Sequence, residues 1–436
     1  MGYETLMSVN TRLAPSTAHS HAPHRRPPAA RPHSHEILVT SPTGQVRILA
    51  HHQLLEDPAL RESLAHLRKD LRYYALVHDT LEALADGSRP RYLYLALQDA
   101  AGKPLAIQPA FVLDQDLLAG APRPVRSVLA AARKLLPNLL KLRTLMVGCA
   151  AGEGHLPASP DASPESLARA LHEVLLPAAR RLGAKMVVLK EFPAEYRPAL
   201  AVFSNDGYAR VPSFPMVRLN IDFSSFEDYM AKTLSSASRK NLRRKFRHTA
   251  AADPITLEVV SDITPHLAEV YPLYLNVFAR ASLQFEKLTP DFFRRLGTDL
   301  HDRARFFIWR QNGKAIAVSL CILDGENLYD EYLGLDYDVA HDLNLYHYTF
   351  RDIVQWGIEH GFRWYYSTAL SYEPKLHLKC DLAPLDLYVA HTNRFANFFL
   401  KRLLPWLEPT RHDKVLPRFP NADDLWGPRP NPKSQL

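Results

Sequence analysis

The segment "SRKNLRRKFR" at 238–247 contains the residue types that most clearly point to binding chemistry. Six of its ten residues are basic, and no acidic residue occurs between Asp228 and Asp253. On a helix, positions 239, 243 and 247 lie along one line, with 240 and 244 beside it. Leu242 and Phe246 fall on a separate apolar stripe that can pack on a domain. The segment therefore predicts a helix with one apolar line and one broad cationic face.

The cationic face consists of five side chains, Arg239, Lys240, Arg243, Arg244 and Arg247. Like charges four residues apart destabilise an isolated helix by roughly a few tenths of a kcal/mol per pair, so a compensating anion is expected. Phosphate suits this face, because arginine offers fork-shaped donors and lysine a point charge. The alternative is a solvated charged face whose cations pair with carboxylates elsewhere in the fold.

Length and composition indicate a globular chain with more than one domain. At 436 residues, of which 47% are hydrophobic and 23% charged, the chain is too long for one ordinary core. The formal net charge of +7 is modest, so its location matters more than its sum. Cys149, Cys321 and Cys380 form neither a metal motif nor a disulfide framework, which fits a reducing cytosol. No run of about 18 apolar residues occurs, so no membrane span is expected.

Both ends of the sequence are expected to lack regular structure. Residues 1–35 are rich in Pro, Ala, Arg and His, have little to bury, and lack the apolar core of a secretion signal. The histidines at 19, 21, 24, 33 and 35 could hold a stray metal ion, but a disordered tail is the simpler interpretation. Residues 411–436, which end in "WGPRPNPKSQL", are expected to form a C-terminal tail.

Between the tails, each half of the chain predicts helices, an antiparallel meander, another helix and a further strand. In the first half, 91–114 predicts a hairpin, and Ser163 is a suitable N-cap for a helix that continues to Gly183. In the second half, the "NG" at 312–313 and the "DG" at 324–325 are strong two-residue hairpin signals. Together they predict a three-stranded meander.

The repeated order of elements predicts an α/β (α+β) chain with two similar domains. The first is expected at 36–220 and carries an extra segment near 115–141. A junction with the basic helix follows at 221–250, and the second domain is expected at 251–410.

This order of elements is that of the GNAT acyltransferases, and two such halves joined through a basic helix resemble the Fem-type and BioF-like acyltransferase families. "SFEDYMAKTLSSASRKNLRRKFR" at 225–247 is similar to the family's basic motif and its aromatic lead-in. "SYEPKLHLKCDLAPL" at 371–385 resembles the family's tyrosine–lysine stretch. The resemblance implies two tandem GNAT-like domains, each a mixed, mostly antiparallel sheet flanked by helices.

Neither half carries a standard phosphate-binding loop. A standard GNAT has a glycine-rich loop after its fourth strand, where backbone N–H groups cradle the CoA pyrophosphate. The corresponding "YDVAHDLNLY" at 337–346 contains no glycine, and Lys379 and Cys380 stand where the family has another one. "GCAAGEG" at 148–154 is not a P-loop, although a helix N-terminus beside it could bind phosphate. These departures leave open whether CoA is the donor.

The resemblance also implies which residues carry the chemistry. GNAT-type transfer needs a base for the amine proton, a donor for the carbonyl oxygen and an acid for the leaving thiol. Asp330 and Glu331 should project to opposite sides of the fourth strand, and Glu331 is the favoured base or amine-binding residue. Tyr372 could protonate the leaving group, and Lys375 could hold an acyl oxygen or a phosphate.

Three further side chains are expected to line the substrate cleft: Tyr329, His347 and Tyr348. For each of the site residues the alternative is a structural role, as a surface carboxylate, a loop residue or a core aromatic.

The expected function is that of a cytoplasmic N-acyltransferase that moves an acyl group from acyl-CoA to a small-molecule amine or a peptide. The reaction would proceed by direct attack, with no metal and no permanently bound cofactor. Alternatively, the donor could be an aminoacyl-tRNA, as in Fem-type transferases, which would make tRNA a partner. A non-catalytic binding protein on a GNAT scaffold is the third interpretation, and a cleft filled by side chains would favour it. The acceptor, the acyl chain and the oligomeric state stay open.

Overall fold

The computed structural model describes residues 37–41, 44–50, 53, 69–81, 83–84, 88–116, 141–156, 162–281 and 286–427. All of them belong to one compact unit that spans Glu36–Leu436. The predicted N-terminal tail with its histidines, most of the extra segment near 115–141 and the last residues, 428–436, lie outside the described residues.

The described residues form two mixed sheets. Sheet I comprises β1 (Ile37–Thr40), β2 (Gly44–Leu49), β3 (Arg91–Asp99), β4 (Pro104–Asp116), β5 (Lys141–Val147), β6 (Met186–Pro193), β7 (Ala209–Pro212) and β15 (Leu385–His391), in the order β1-β2-β3-β4-β5-β6-β15-β7. Sheet II comprises β8 (Met216–Asn220), β9 (Ile255–Val260), β10 (Ala304–Gln311), β11 (Lys314–Asp324), β12 (Asn327–Leu335), β13 (Trp364–Ser367) and β14 (Asp381–Ala383), in the order β14-β8-β13-β12-β11-β10-β9.

Helices flank both sheets. They are α1 (Leu71–Thr80), α2 (Pro164–Arg181), α3 (Arg197–Asn205), α4 (Phe226–Thr233), α5 (Ser236–Ala250), α6 (Leu267–Arg280), α7 (Pro290–Asp299), α8 (Tyr337–Ala340), α9 (Leu345–Glu359), α10 (Tyr372–His377), α11 (Arg394–Leu407) and α12 (Asp423–Trp426). The predicted α/β class, with two mixed sheets flanked by helices, is confirmed.

Both sheets repeat one plan. In sheet I, β3, β4 and β5 form an antiparallel meander, and β6 then pairs in parallel with β5. In sheet II, β10, β11 and β12 form the meander, and β13 pairs in parallel with β12. Helices α2 and α9 make the two crossovers that a parallel pair requires.

Local turn and cap signals form as predicted. Asn312 and Gly313 both have positive φ, 52° and 78°, which is the geometry that a two-residue hairpin turn needs. The Ser163 hydroxyl accepts from the backbone N–H of Ser166 at the start of α2. Because these signals depend only on neighbouring residues, the sequence alone could show them.

The two sheets exchange strands, so they do not divide at residue 220. Strand β8, which the sequence analysis places in the first domain, pairs with β13 and β14 of sheet II. Strand β15, placed in the second domain, lies between β6 and β7 of sheet I. Only Pro384 separates β14 in sheet II from β15 in sheet I. Each sheet is therefore completed by a strand from the other half of the sequence.

Three apolar clusters fill the space around these sheets. One lies between the sheets and contains side chains of both halves, including Tyr73, Phe111, Tyr274 and Phe306. The second covers the other face of sheet I beneath α2 and α3. The third covers the other face of sheet II with α4 and α9. The shared central cluster joins the two halves into one body.

Residues 411–427 do not form the loose tail that the sequence predicts. Leu416, Phe419 and Leu425 are buried in the sheet II cluster. The Asn421 side chain pairs with the backbone of Leu382 in β14 through both its oxygen and its nitrogen, each at 2.9 Å. The apolar residues spaced along this proline-containing segment bury enough surface to hold the segment on the domain.

Candidate active site

A cavity of about 510 Å³ lies between the two sheets. Its walls come from β6, β12, β13, the helices α6 and α9, and the loop at 367–371. Pairing of β12 with β13 ends at Asp330 and Ser367, and pairing of β5 with β6 ends at Val147 and Leu189. Both parallel pairs therefore separate at this cavity, and the residues that follow each pair supply its polar lining.

A bulge in β12 turns Glu331 into the cavity. Leu320 of β11 pairs with Tyr332, and its neighbour Cys321 pairs with Asp330, so Glu331 is an extra residue in the ladder. A bulge interrupts the strand's alternation and redirects side chains. As a result, Asp330, Glu331 and Tyr332 all line the cavity. The sequence predicts that Asp330 and Glu331 face opposite sides of the strand, and the cavity reaches both residues because it lies where β12 and β13 separate.

Sheet I contributes a second bulge at the facing wall. Between the pairs Leu189–Tyr388 and Phe192–Asp386, β6 has one residue more than β15. Glu191 takes up this excess with φ of 56°, in the left-handed region that non-glycine residues seldom adopt. Lys190 Nζ lies 2.6 Å from the Glu191 carboxylate and donates to the Gly152 carbonyl at 2.8 Å. Both side chains line the cavity.

Glu286, which precedes α7, also lines the cavity. The Tyr332 hydroxyl donates to its carboxylate at 2.6 Å. Burial raises the pKa of Glu286, although the ammonium of Lys190 opposes the shift. Burial alone would lower the pKa of Lys190, but Glu191 and Glu286 together hold it above its ordinary value. Lys190 is therefore a charged partner for two carboxylates.

Asp330 is held rigidly by its neighbours in sheet II. It accepts from the Ser319 hydroxyl on β11 and from the Tyr365 hydroxyl on β13, the latter at 2.7 Å. Burial raises the pKa of Asp330, while these two donors and Lys375 oppose the shift. Asp330 therefore links β11, β12 and β13 beside the cavity, and Glu331 is the next carboxylate along β12.

Lys375 of α10 is a buried ammonium at the other end of the cavity. Its Nζ donates to the carbonyls of Thr368 and Leu370. These bonds support a loop in which Leu370 and Ser371 both have left-handed φ, 73° and 51°. Burial lowers the pKa of Lys375 to about 8, although Cys380 and Asp330 raise it. An ammonium has three donors, so one remains to be directed at a substrate.

Carboxylates outnumber cations in this cavity. The acidic side chains are Glu153, Glu191, Glu286, Asp330 and Glu331, and the basic ones are Lys190, Arg280 and Lys375. Carboxylates still outnumber cations when Lys69 is included. Lys69 lies behind the wall and pairs with Glu153 at 2.7 Å. Such a lining favours a ligand that carries a positive charge or a neutral amine.

Comparison with known proteins gives a family match for the segment that supplies most of the residues lining this cavity. Residues 236–373 match the family model for "Acetyltransferase (GNAT) domain". This stretch, about a third of the chain, is similar to a GNAT domain.

Other similarities are more distant. The putative 8-amino-7-oxononanoate synthase 2 of Mycobacterium tuberculosis (strain ATCC 25618 / H37Rv) is 26% identical over 168 residues, which are 38% of this chain and 21% of that protein. The chain thus spans about a fifth of the length of this curated relative.

Two solved structures are also only distantly similar to this chain. FemX is 11% identical with a TM-score of 0.46, over 79% of this chain and 97% of that one. L-PGS from Bacillus licheniformis is 13% identical with a TM-score of 0.45, over 78% of this chain and 98% of that one.

Four residues predicted for the site do not line this cavity. Tyr372 is buried, and its hydroxyl donates to the Pro215 carbonyl at 2.9 Å. Tyr329 precedes the bulge, and its ring stacks on Tyr366 at 4.6 Å between centroids. His347 and Tyr348 lie in the first turn of α9. The cavity brings together only Glu331 and Lys375 of the residues predicted for catalysis.

In the first turn of α9, His347 and Tyr348 do not line this cavity, and His347 faces the basic helix α5. Lys245 Nζ lies 3.0 Å from a ring nitrogen of His347. Burial, with the Lys245 cation second, lowers the pKa of His347 to about 4, so the ring is neutral at pH 7. The Arg351 guanidinium lies 3.9 Å from the centre of the Tyr348 ring.

Helix α5 forms as predicted, but its cations divide between two faces. Arg239 donates to the carbonyls of Ala231 and Leu234 at the end of α4, and Arg243 pairs with Glu227. Lys240, Arg244 and Arg247 are exposed, and no carboxylate among the described residues lies within ion-pair distance of them. The predicted alternative of internal pairing therefore holds for Arg243, whereas the outer stripe remains available.

A second cavity, of about 520 Å³, lies between α4, α5 and α9. Arg243, Arg247 and Arg351 line it together with the rings of Phe226 and Phe246. Arg351 comes from a helix far away in sequence, and its guanidinium lies 5.1 Å from the centre of the Phe246 ring. This is a cationic and aromatic recess beside the outer stripe of α5.

Both loops considered for phosphate binding are held by hydrogen bonds within the chain. In the loop after β5, the carbonyls of Gly152 and Glu153 face inward and accept from Lys190 and Lys69. After β12, the short helix α8 fills the place of the usual GNAT glycine loop. The N–H groups of His347 and Tyr348 bond to the Asn344 carbonyl, and that of Asp338 bonds to the Asp336 side chain.

Sequence reasoning missed the contribution of sheet I to the site. Lys190 and Glu191 are charged residues at the end of the apolar run "AKMVVLKEF", and this break in the run was a usable signal. Glu286 and Arg351 carried no local signal, because only the fold brings them to the two cavities.

In the part of the chain that the structure describes, no group of three His, Cys, Asp or Glu residues is arranged to hold a metal ion. The same part contains no helix with the length and apolar character needed to cross a bilayer.

Proposed function

We propose that this protein is an N-acyltransferase whose acceptor amine binds in the cavity between the sheets. The observation that carries the proposal is that Glu331 and Lys375 both line one cavity at the separation of β12 and β13. The GNAT match over 236–373 supports acyl transfer as the reaction class. The proposed donor carries phosphate groups, and acyl-CoA is the first candidate.

The acidic lining supports an amine as acceptor. An amine that arrives protonated is attracted by the carboxylates that line the cavity, namely Glu191, Glu286 and Glu331. It must lose one proton to water before attack, because only the neutral amine has a lone pair, and a second proton as the amide forms. A carboxylate within hydrogen-bond reach can take that proton.

The proposed reaction proceeds by direct attack and needs no covalent enzyme intermediate. The amine nitrogen attacks the acyl carbonyl carbon while Glu331 accepts the amine proton. The carbon–sulfur bond of the thioester then breaks, and the ammonium of Lys375 donates a proton to the leaving thiolate. A pKa of about 8 suits Lys375 to this step, because it is charged at neutral pH and gives up its proton readily.

The donor's phosphates are proposed to lie on helix α5. Lys240, Arg244 and Arg247 follow the spacing i, i+4, i+7, so they form one stripe on the exposed face. Arg247 also reaches the recess that contains Arg351. Arginine forks and aromatic rings together suit a phosphorylated nucleotide portion.

A second candidate donor is an aminoacyl-tRNA. The turn at 336–348 favours it, because this segment has no glycine and its N–H groups at Asp338, His347 and Tyr348 are already bonded within the chain. An exposed stripe of cations can follow a polynucleotide backbone instead. The size of the cavity between the sheets argues against the third interpretation, a non-catalytic scaffold with a filled cleft.

The deciding experiment is a thermal-shift titration of the full chain with CoA, acetyl-CoA, longer acyl-CoAs and bulk aminoacyl-tRNA. A donor that binds only the folded state raises the melting temperature with its occupancy. Binding of tRNA should weaken steeply with salt, whereas binding of acyl-CoA should depend on it far less. A donor that binds is then tested with panels of amines for thiol or tRNA release. Failure of every donor to shift the melting temperature would overturn the proposal.

A further inference from the structure

Helix α11 carries apolar side chains on two opposite faces. On the inner face, Leu400 and Leu404 pack against the cluster between the sheets. The Asn397 side chain donates to the Gly207 carbonyl at 2.8 Å and accepts from the His391 N–H at 2.9 Å. These contacts hold the helix on sheet I, so the inner face of α11 already has its packing partners.

The outer face of α11 exposes large apolar side chains to solvent. The exposed fractions are 83% for Phe395, 52% for Phe398, 68% for Phe399 and 51% for Leu403. Their spacing, i, i+3, i+4 and i+8, puts all four on one stripe. Elsewhere in the described residues, only Leu38 and Leu257 are large apolar side chains with comparable exposure, and each stands alone. A patch this concentrated marks a surface that has a partner.

The charges that the helix itself carries are of one sign. Arg394, Lys401 and Arg402 lie on the helix, and no acidic residue occurs between Asp386 and Glu408 in the sequence. The Arg402 guanidinium lies 3.6 Å from the centre of the Phe398 ring, and Arg394 and Lys401 flank the stripe. Glu408 is buried and accepts from the Trp426 indole N–H at 2.6 Å, so its carboxylate does not face outward.

We propose that helix α11 docks the protein on an anionic phospholipid surface. A helix with phenylalanines on one side and arginine and lysine at the border lies in the interface plane, with its rings among the acyl chains and its cations at the phosphates. A second copy of the chain fits less well, because a symmetric contact would bring the same cations together. This inference is independent of the proposed reaction.

The test is co-sedimentation of the full chain with vesicles of phosphatidylcholine alone and of phosphatidylcholine mixed with phosphatidylglycerol. The double variant Phe395→Ser/Phe399→Ser should lose at least tenfold of its partitioning to the mixed vesicles. Lys401→Gln/Arg402→Gln should remove most of the preference for the mixed vesicles over phosphatidylcholine alone. The matched control, Leu257→Ser, changes an exposed leucine on β9 and should bind like the unmodified chain. All these side chains are exposed, so the melting temperature should not change.

The phenylalanine variant decides the matter, because the basic segment 238–247 could attract anionic vesicles by charge alone. Equal partitioning of the Phe395→Ser/Phe399→Ser variant and the unmodified chain would overturn the proposal. The same holds if the chain does not bind vesicles and light scattering shows a dimer that this variant abolishes. In that case a second copy covers the stripe.

Discussion

Two side chains define the chemistry proposed for the cavity, and their environments differ. Glu331 depends on a bulge for its direction, whereas Lys375 depends on two backbone carbonyls for its position. Both positions are set by backbone geometry and not by contact with each other. Each role can therefore be tested separately.

Replacing Glu331 with Gln should lower kcat about 100-fold or more, because an amide cannot accept the amine proton. The shape of the side chain is kept, so the thermal shift produced by the donor should not change. Glu326→Gln, in the turn before β12, is the matched control and should leave kcat unaltered. Retention of more than half of the activity in Glu331→Gln would rule out this residue as the base.

The pKa of Lys375 predicts how kcat depends on pH at the alkaline limb of the profile. If its ammonium protonates the leaving group, kcat should fall as pH rises through about 8, the pKa of this side chain. Lys375→Met should be slow at neutral pH and should lack this limb. A limb that persists near pH 8 in the variant would assign it to another group.

The same pKa predicts a stability effect that does not depend on catalysis. Because burial lowers the pKa of Lys375 from its ordinary 10.5 to about 8, the unfolded chain binds more protons than the folded one between these values. The stability of the unmodified chain relative to Lys375→Met should therefore rise with pH across this window. Urea unfolding of both proteins at several pH values measures the difference, and a falling trend would contradict the assigned shift.

At the scale of elements, helix α5 serves two purposes on its two faces. Arg239 and Arg243 face α4 and tie the two helices together, so their charges are already used. Lys240, Arg244 and Arg247 face outward. Charge alone could not separate these sets in the sequence, because the position of α4 decides which side is covered.

The two faces predict opposite outcomes of mutation. Lys240→Ala/Arg244→Ala/Arg247→Ala should weaken donor binding at least tenfold with an unchanged melting temperature. Arg239→Ala should instead cost about 1 kcal/mol of stability, because the last carbonyls of α4 lose their donor, and should leave donor binding intact. Titration calorimetry and thermal melts on both variants separate the two effects. The reverse pattern would place the donor site on the inner face.

What the sequence could predict at this scale was local. The hairpin at Asn312 and Gly313 and the helix cap at Ser163 depend on residues next to each other in the chain. The bulges at Glu191 and Glu331 depend on which strand lies alongside, and no neighbouring residue signals them. Glu331 was predicted through the family resemblance, whereas Lys190 and Glu191 were not, although the charged break in the apolar run at 184–192 marked them.

At the scale of the whole molecule, the exchanged strands make the halves interdependent. Residues 36–220 alone would lack β15, which leaves β6 and β7 without their shared neighbour. They would also lack Asp386, a buried carboxylate that pairs with Arg197 and Arg210 at 2.6 Å and 2.8 Å. Without Asp386, the partly buried guanidinium groups of Arg197 and Arg210 would lose the carboxylate that they share.

We expect the chain to unfold in one step and the fragment 36–220 to stay unfolded. The three cysteines report on this directly, because Cys149 lies beside sheet I, Cys321 in sheet II and Cys380 next to β14, and all three are buried. Thiol labelling at increasing urea should give one midpoint for all of them. Separate midpoints for Cys149 and Cys321, or a folded fragment, would show that the halves are autonomous.

The chain passes between the sheets twice, through 213–215 and through Pro384, and these passages adjoin the cavity at Phe214, Met216 and Leu385. A molecule held there touches the only described strand-to-strand links by which one sheet leads directly into the other. A change in the angle between the sheets would therefore alter the part of the cavity wall that Phe214, Met216 and Leu385 supply.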